Sequence, residues 1–173
     1  MSESYFAIAP EIAAYGNFEV TEDPKVIEMH DCYYNTRICV ANLKKWRDDN
    51  ADEKLRRCIA NENEPIKVAD QTIINKYFND KILRLPLEYN YYTPVHNVSY
   101  DLICSIFSKK NVFTKDEFQK AAENPVIIHY FGHSYERPWF KYSVALKKKD
   151  YLRIKSSTLW GDLPLDRWRS SGS

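Results

Sequence analysis

Apolar positions in this chain come in short runs whose period changes along the sequence. Tyr5 to Ala9 is an apolar run of strand length, and Ile38-Cys39-Val40-Ala41 reads as a second, buried strand. Between them Tyr15 to His30 is polar and predicts a loop. A helical period follows. Asn50 and Glu53 have the spacing of a capping box, and Leu55, Cys58 and Ile59 define one buried face. Another helix is predicted over 69–78, with Ile73, Ile74, Tyr77 and Phe78 turned inward. Ile82 to Leu85 is a short strand closed by Pro86, and Tyr89 to Tyr100 is an aromatic, proline-containing loop. Thr114 and Glu117 form a second capping box, stapled by Phe113 and Phe118, for a helix that stops before Asn124-Pro125. Val126 to Ile128 is a short buried strand, and Asp150 to Ser156 a last helix whose start, Lys147-Lys148-Lys149, is solvated. Strands alternating with helices mean an α/β domain.

Composition narrows the function. At 173 residues one domain is the default. The 25 basic and 24 acidic residues leave a formal net charge of +1, which argues against a general nucleic-acid binder. Hydrophobic residues make up 44%, too many for a disordered chain. The four cysteines show no CxxC and no zinc-site spacing; Cys39 and Cys58 sit in apolar patterns and read as core thiols in a reducing cytosol. No apolar run has the length of a membrane span, and the N-terminus lacks the layout of a signal peptide. The polar end, 169–173, is expected to fray.

The densest candidate chemistry lies in Pro125 to Trp139. A short apolar strand ends at His129, and Gly132 and Arg137 follow. Imidazole can join carboxylates on a divalent cation, and a guanidinium pairs well with phosphate. Read alone, His129 also fits a buried strand with one hydrogen-bonded histidine.

Four segments in order then resemble one family. Tyr33-Tyr34-Asn35-Thr36-Arg37-Ile38-Cys39-Val40-Ala41-Asn42-Leu43-Lys44-Lys45-Trp46-Arg47 is similar to Y-F-N-[AS]-G-V-x-L-I-N-L-x-x-W-R. Asp70-Gln71-Thr72-Ile73-Ile74-Asn75 resembles a D-Q-D-x-x-N helix start. Leu85-Pro86-Leu87-Glu88-Tyr89-Asn90 resembles L-P-x-x-Y-N, and His129-Tyr130-Phe131-Gly132 with Arg137-Pro138-Trp139 resembles H-[YF]-x-G…[KR]-P-W. The chain thus resembles the C-terminal half of family 8 glycosyltransferases, over about Tyr5 to Trp139 and more loosely Tyr151 to Trp160.

The resemblance implies a partial GT-A fold, with a mixed sheet and flanking helices. It also implies retaining transfer of a hexose from a nucleotide sugar, commonly a UDP-sugar, to a glycan or lipopolysaccharide-type acceptor. The implied cofactor is Mn²⁺ or Mg²⁺, with His129 as metal ligand. Asp70 would hold donor-sugar hydroxyls, and Gln71 would lie beside the anomeric carbon. Asn35, Thr36, Glu11, Gly132 and Arg137 match substrate-binding positions. Alone, Asp70 and Gln71 could also cap a helix, Asn35 close a turn and Arg137 form a surface pair.

Three departures qualify this. There is no Asp-x-Asp; Glu62-Asn63-Glu64 has similar spacing but follows a helix rather than a strand. Thr36-Arg37 replaces the small pair after Asn35. The loop from His129 to Arg137 is longer than the usual form. The expectation is a truncated transferase domain over 1–173 lacking its donor-nucleotide half, with weak or absent metal binding and no turnover of its own. Self-association through an exposed sheet edge is expected too, at a cytoplasmic location, peripheral at the inner membrane face. The alternative is a non-catalytic module that binds carbohydrate or a partner.

Overall fold

Strand β1 (Phe6–Pro10) is buried along its whole length because other elements cover both of its edges. β2 (Tyr34–Ala41) pairs with it antiparallel and β3 (Ile82–Arg84) parallel, so the sheet is mixed, in the order β2-β1-β3. The computed structural model describes residues 3–12, 30–63, 69–107, 113–132 and 134–166. The predicted loop up to residue 29 and the terminal tail lie outside the described residues.

The β1–β2 ladder is irregular in one informative place. Phe6, Ala7 and Ile8 face Ala41, Val40 and Cys39 in steady register, and the next paired positions are Pro10 and Tyr34. β1 therefore advances two residues while β2 advances five. The extra β2 residues, Asn35 to Ile38, leave the ladder, as they do at a bulge. Pro10 has no N–H to continue the pairing.

Helix α1 (Leu43–Asp48) starts at Asn42, whose side chain accepts from Lys45 N–H. α2 (Ala51–Ala60) follows after a two-residue turn. Asn50 precedes it at φ 49° and makes no capping bond with its side chain. The expected capping box is therefore absent: the tight turn uses asparagine's tolerance of the left-handed region, which is incompatible with the extended N-cap geometry. Glu53 pairs along the helix with Arg57 at 3.0 Å instead. Leu55 reaches the core, Cys58 is half-buried and Ile59 is exposed. α3 (Ala69–Phe78) buries Ile73 and Phe78, with Ile74 and Tyr77 partly covered, as its period predicts.

Two clusters make the core. Tyr5, Phe6, Ile8, Tyr34, Ala51 and Phe78 form one, with Trp46 packed against it. Its Tyr5 and Phe78 rings meet edge to face, centroids 5.2 Å apart, a favoured aromatic geometry. The other joins Ile12, Leu87, Tyr91, Tyr92, Val95, Ile103, Phe113, Phe118 and Ala121. Much of it comes from the stretch read as an aromatic loop. Leu87–Asn90 and Thr93–Val95 are single 3-10 turns flanking strand β4 (Tyr91–Tyr92), and both tyrosines are buried. Helix α4 (Tyr100–Phe107), for which the pattern predicted no element, supplies Ile103. α5 (Lys115–Glu123) has its capping box, and Phe113 stacks on Phe118 at 6.2 Å.

Four further expectations need correction. The buried part of β2 is Tyr34 to Thr36, whereas Cys39, Val40 and Ala41 are exposed, so Cys39 is no core thiol. β5 is only Ile128–His129, paired parallel with β4. Val126 and Ile127 are exposed, because their N–H groups both bond the Glu88 carbonyl in a turn rather than entering a sheet. Last, α6 (Lys148–Ser156) begins with a lysine that is not simply solvated: Lys148 Nζ donates to the carbonyls of Phe140, Lys141 and Ser143.

Candidate functional site

Where β2 leaves its ladder, its side chains and backbone turn to new partners. Thr36 Oγ1 donates to Asp70 Oδ2 at 2.8 Å, and Thr36 N–H to Gln71 Oε1 at 3.2 Å. Asp70 and Gln71 open α3, so that helix docks by its first turn onto β2. They do not simply cap their own helix. One turn later Asn75 is fully buried. Its Oδ1 accepts from Tyr34 N–H at 2.7 Å and its Nδ2 donates to Tyr34 C=O at 2.8 Å. A side-chain amide carries the same donor and acceptor as a peptide group, so Asn75 stands in for a strand along this piece of β2.

On its other side the same piece meets Glu11 and β4. The Asn35 amide donates to Glu11 Oε2 and also meets the Tyr92 hydroxyl. Tyr92 OH donates to Glu11 Oε2 at 2.6 Å. Asn35, Glu11 and Tyr92 are all buried, so the carboxylate is desolvated and held by charge-assisted bonds. The Tyr92 ring stands edge-on to His129, centroids 4.7 Å apart. Asp70, Gln71, Thr36, Asn35, Glu11 and His129 thus belong to one connected constellation.

His129 is the last residue of β5, at its C-terminal end. The Asn90 side-chain oxygen lies 3.0 Å from its Nδ1. In the tautomer protonated at Nδ1, that N–H donates to the amide oxygen and Nε2 keeps the lone pair. Burial, and then the charge of Arg37, push the imidazole down to about 4, so it is neutral at pH 7. This is the arrangement of a ring oriented by a second partner and free to accept at Nε2.

Gly132 has φ 90°, a backbone open to glycine and strained for other residues. Arg137 sits after the 3-10 turn Ser134–Glu136, half-buried, its guanidinium 5.9 Å from the Trp139 ring centroid. Its Nε is buried and lacks a hydrogen-bond partner among the described residues. A buried guanidinium donor without an acceptor suits an anionic oxygen brought by a ligand.

A divalent cation fits less well. Among the described residues there is no cluster of three or more His, Cys, Asp or Glu side chains. Hard cations prefer several oxygen ligands, and His129 offers one nitrogen. Glu62 is occupied elsewhere: its Oε2 accepts from Lys76 and from the Tyr77 hydroxyl.

Three contributors carry no role in the sequence reading. Asn75 and Asn90 stand inside recognisable motifs, and their burial is what marks them. Tyr92 lay in the supposed loop. Its only sequence signal is the pair Tyr91-Tyr92, whose side chains must point to opposite sides of a strand.

With this geometry in place, comparison with known proteins is decisive about ancestry. The model for glycosyl transferase family 8 matches residues 1–143. The chain belongs to that family. It is 27% identical over 141 residues to a lipopolysaccharide 1,2-glucosyltransferase of Escherichia coli strain K12, covering 81% of this chain and 37% of that enzyme. Among solved structures, the bifunctional glycosyltransferase WbbM superposes with a TM-score of 0.70 at 22% identity, over 92% of this chain and 29% of WbbM. The galactosyltransferase LgtC, solved with donor and acceptor sugar analogues, gives a TM-score of 0.54 at 17% identity, over 91% of this chain and 53% of LgtC. The fold is that of GT-A glycosyltransferases, and the chain spans about a third of the length of the curated relative. Among the described residues no helix is long and apolar enough to cross a membrane.

Proposed function

We propose that this chain forms the sugar-binding part of a retaining hexosyltransferase that uses a UDP-sugar donor in glycan or lipopolysaccharide assembly. The supporting observation is the connected set Asp70, Gln71, Thr36, Asn35, Glu11, Tyr92 and His129, built around the break in the β1–β2 ladder. Carboxylate, amide and hydroxyl groups in one place suit the hydroxyls of a hexose. In this reading Asp70 binds those hydroxyls, and Gln71 lies against the anomeric carbon as the bond to the diphosphate breaks. Asn35 and Thr36 position the ring, with Glu11 fixing Asn35. Gly132 lets the backbone approach the phosphates, and the free Arg137 Nε donates to them, offsetting charge that grows on the leaving group. His129 offers its Nε2 lone pair as one metal ligand. A bound Mn²⁺ or Mg²⁺ would further offset the diphosphate charge, but its remaining ligands must come from outside the described residues.

The lack of a carboxylate cluster among the described residues favours a second reading, in which the chain binds carbohydrate or a partner without catalysis. Saturation-transfer NMR with UDP-glucose and UDP-galactose tests the first reading. Sugar-ring protons should be saturated more strongly than uridine protons, and Asp70→Ala should abolish the effect. No sugar contact in the wild-type chain would overturn it. UDP release with Mn²⁺ separates the two readings: turnover on the order of 1 s⁻¹ would make the chain itself a catalyst, whereas negligible turnover is expected.

A further inference from the structure

Arg37 is the residue of this site that fits neither the family pattern nor a structural role. It is exposed, and its guanidinium has no carboxylate or other hydrogen-bond partner among the described residues. Only its backbone N–H is engaged, by Asn35 Oδ1 at 3.1 Å. The guanidinium lies 5.9 Å from the centroid of the Phe131 ring, which is itself 41% exposed. A cation over an exposed ring is held in place without being neutralised. The Phe131 ring lies 5.8 Å from that of Tyr92 and 6.0 Å from that of His129, so the guanidinium stands on the side where Tyr92 and His129 meet. The adjacent Asp70 is already bonded to Thr36 rather than to Arg37.

Around this free cation stand groups suited to a polyhydroxylated ligand. Next along β2, Thr36 and its partner Asp70 offer hydroxyl and carboxylate, and Phe131 offers an apolar face for sugar C–H groups. A neutral sugar would use those groups and leave the guanidinium idle. From Arg37 and its setting we infer that the site selects a saccharide carrying an anionic substituent, a carboxylate or a phosphate, which the guanidinium binds through paired N–H bonds. This rests on the sugar-binding reading above and adds the charge of the sugar.

The test compares methyl glucoside, methyl glucuronide and glucose 6-phosphate by NMR titration of the full 173-residue chain. At least one anionic sugar should bind about ten-fold more tightly than the glucoside, roughly 1.4 kcal/mol. Preference for the glucuronide alone identifies a uronic acid, and preference for the phosphate alone a phosphorylated sugar. Arg37→Gln should erase the difference and leave glucoside binding unchanged, and Arg37→Lys should keep part of it. Equal affinity for glucoside and both anionic sugars overturns the inference while sparing the sugar site. Absence of all sugar binding overturns both. Inorganic phosphate or UDP binding as tightly as the best anionic sugar, and lost in Arg37→Gln, would assign the cation to phosphate alone and also overturn the inference.

Discussion

Tyr34, Asn35 and Thr36 are buried, whereas Arg37, Cys39, Val40 and Ala41 of the same strand face solvent. The outer half keeps an orderly ladder with β1, from Ala41 to Cys39. Asn35 and Thr36 leave that ladder, Tyr34 rejoins it opposite Pro10, and side chains of α3 take up the backbone groups of Tyr34 and Thr36 that β1 does not bond. Regular pairing therefore coincides with the exposed, chemically plain stretch, and broken pairing with the candidate site. The physical reason is local. In an antiparallel ladder alternate residues of an edge strand bond their neighbour, and the residues between them point N–H and C=O outward. A residue released from the ladder must find other partners for its backbone, and the groups that supply them come from helix and loop. That brings carboxylate, amide and hydroxyl together at one point.

The most severe way to break this arrangement is Asn75→Ala. It strips partners from both backbone groups of buried Tyr34, and each stranded group costs about 1–3 kcal/mol. We expect a loss of roughly 3 kcal/mol in urea unfolding, summed from those two groups. A loss below about 1 kcal/mol would mean the inner half does not depend on α3.

Tyr92→Phe tests the opposite flank. It keeps the ring against His129 and removes the hydroxyl that donates to the buried Glu11. A hydrogen bond to a charged group is worth about 1.5–3 kcal/mol, so a loss of roughly 2 kcal/mol is expected. Unchanged stability would show that Glu11 is fully satisfied without it.

A smaller effect follows from pH. In the folded protein His129 is pushed from 6.5 down to about 4 by burial and then by Arg37. A depressed value means that the folded state resists the proton and the unfolded chain accepts it. The stabilisation is thus complete above about pH 6.5 and lost as pH falls to about 4. Glu88 is held below the usual carboxylate range by its bond to Lys120, so it adds a further loss at lower pH, below the unfolded carboxylate value. His129→Gln should flatten the first of these two declines and leave the second, as read from melting temperature against pH. A decline that is the same in the variant would place the imidazole in water.

The mildest change addresses the outer half. Val40 is 55% exposed on β2, an edge strand among the described residues. Val40→Lys should alter stability by no more than about 0.5 kcal/mol. It should weaken any concentration-dependent association seen by sedimentation, because an edge lysine opposes strand addition. Equal association in both proteins would move self-contact away from β2.

Legibility in the sequence followed the range of the interactions. The α5 capping box and its Phe113–Phe118 staple were readable because all their partners lie within five residues. The inward face of α3 was readable because a helical period records burial directly. Asn50 misled because the same residue type serves an N-cap and a left-handed turn, and only the packing of α1 against α2 chooses between them. Ile38 to Ala41 and Val126 to Ile128 misled because β-branched and apolar residues announce extended backbone without saying what covers it.

The sequence by itself determined the α/β class, the family and the candidate residues Asp70, Gln71, Asn35, Thr36, Glu11 and His129, since these stand in short motifs of fixed spacing. Only the tertiary structure decided that they are joined. It also supplied Asn75, Tyr92 and Asn90 as their supports and set the Arg37 guanidinium over the Phe131 ring beside them. Those contacts cross 24 to 57 positions of chain in the case of Asn35 alone. No local pattern encodes them, because they exist only once two separately packed cores have brought β2, α3 and β4 together.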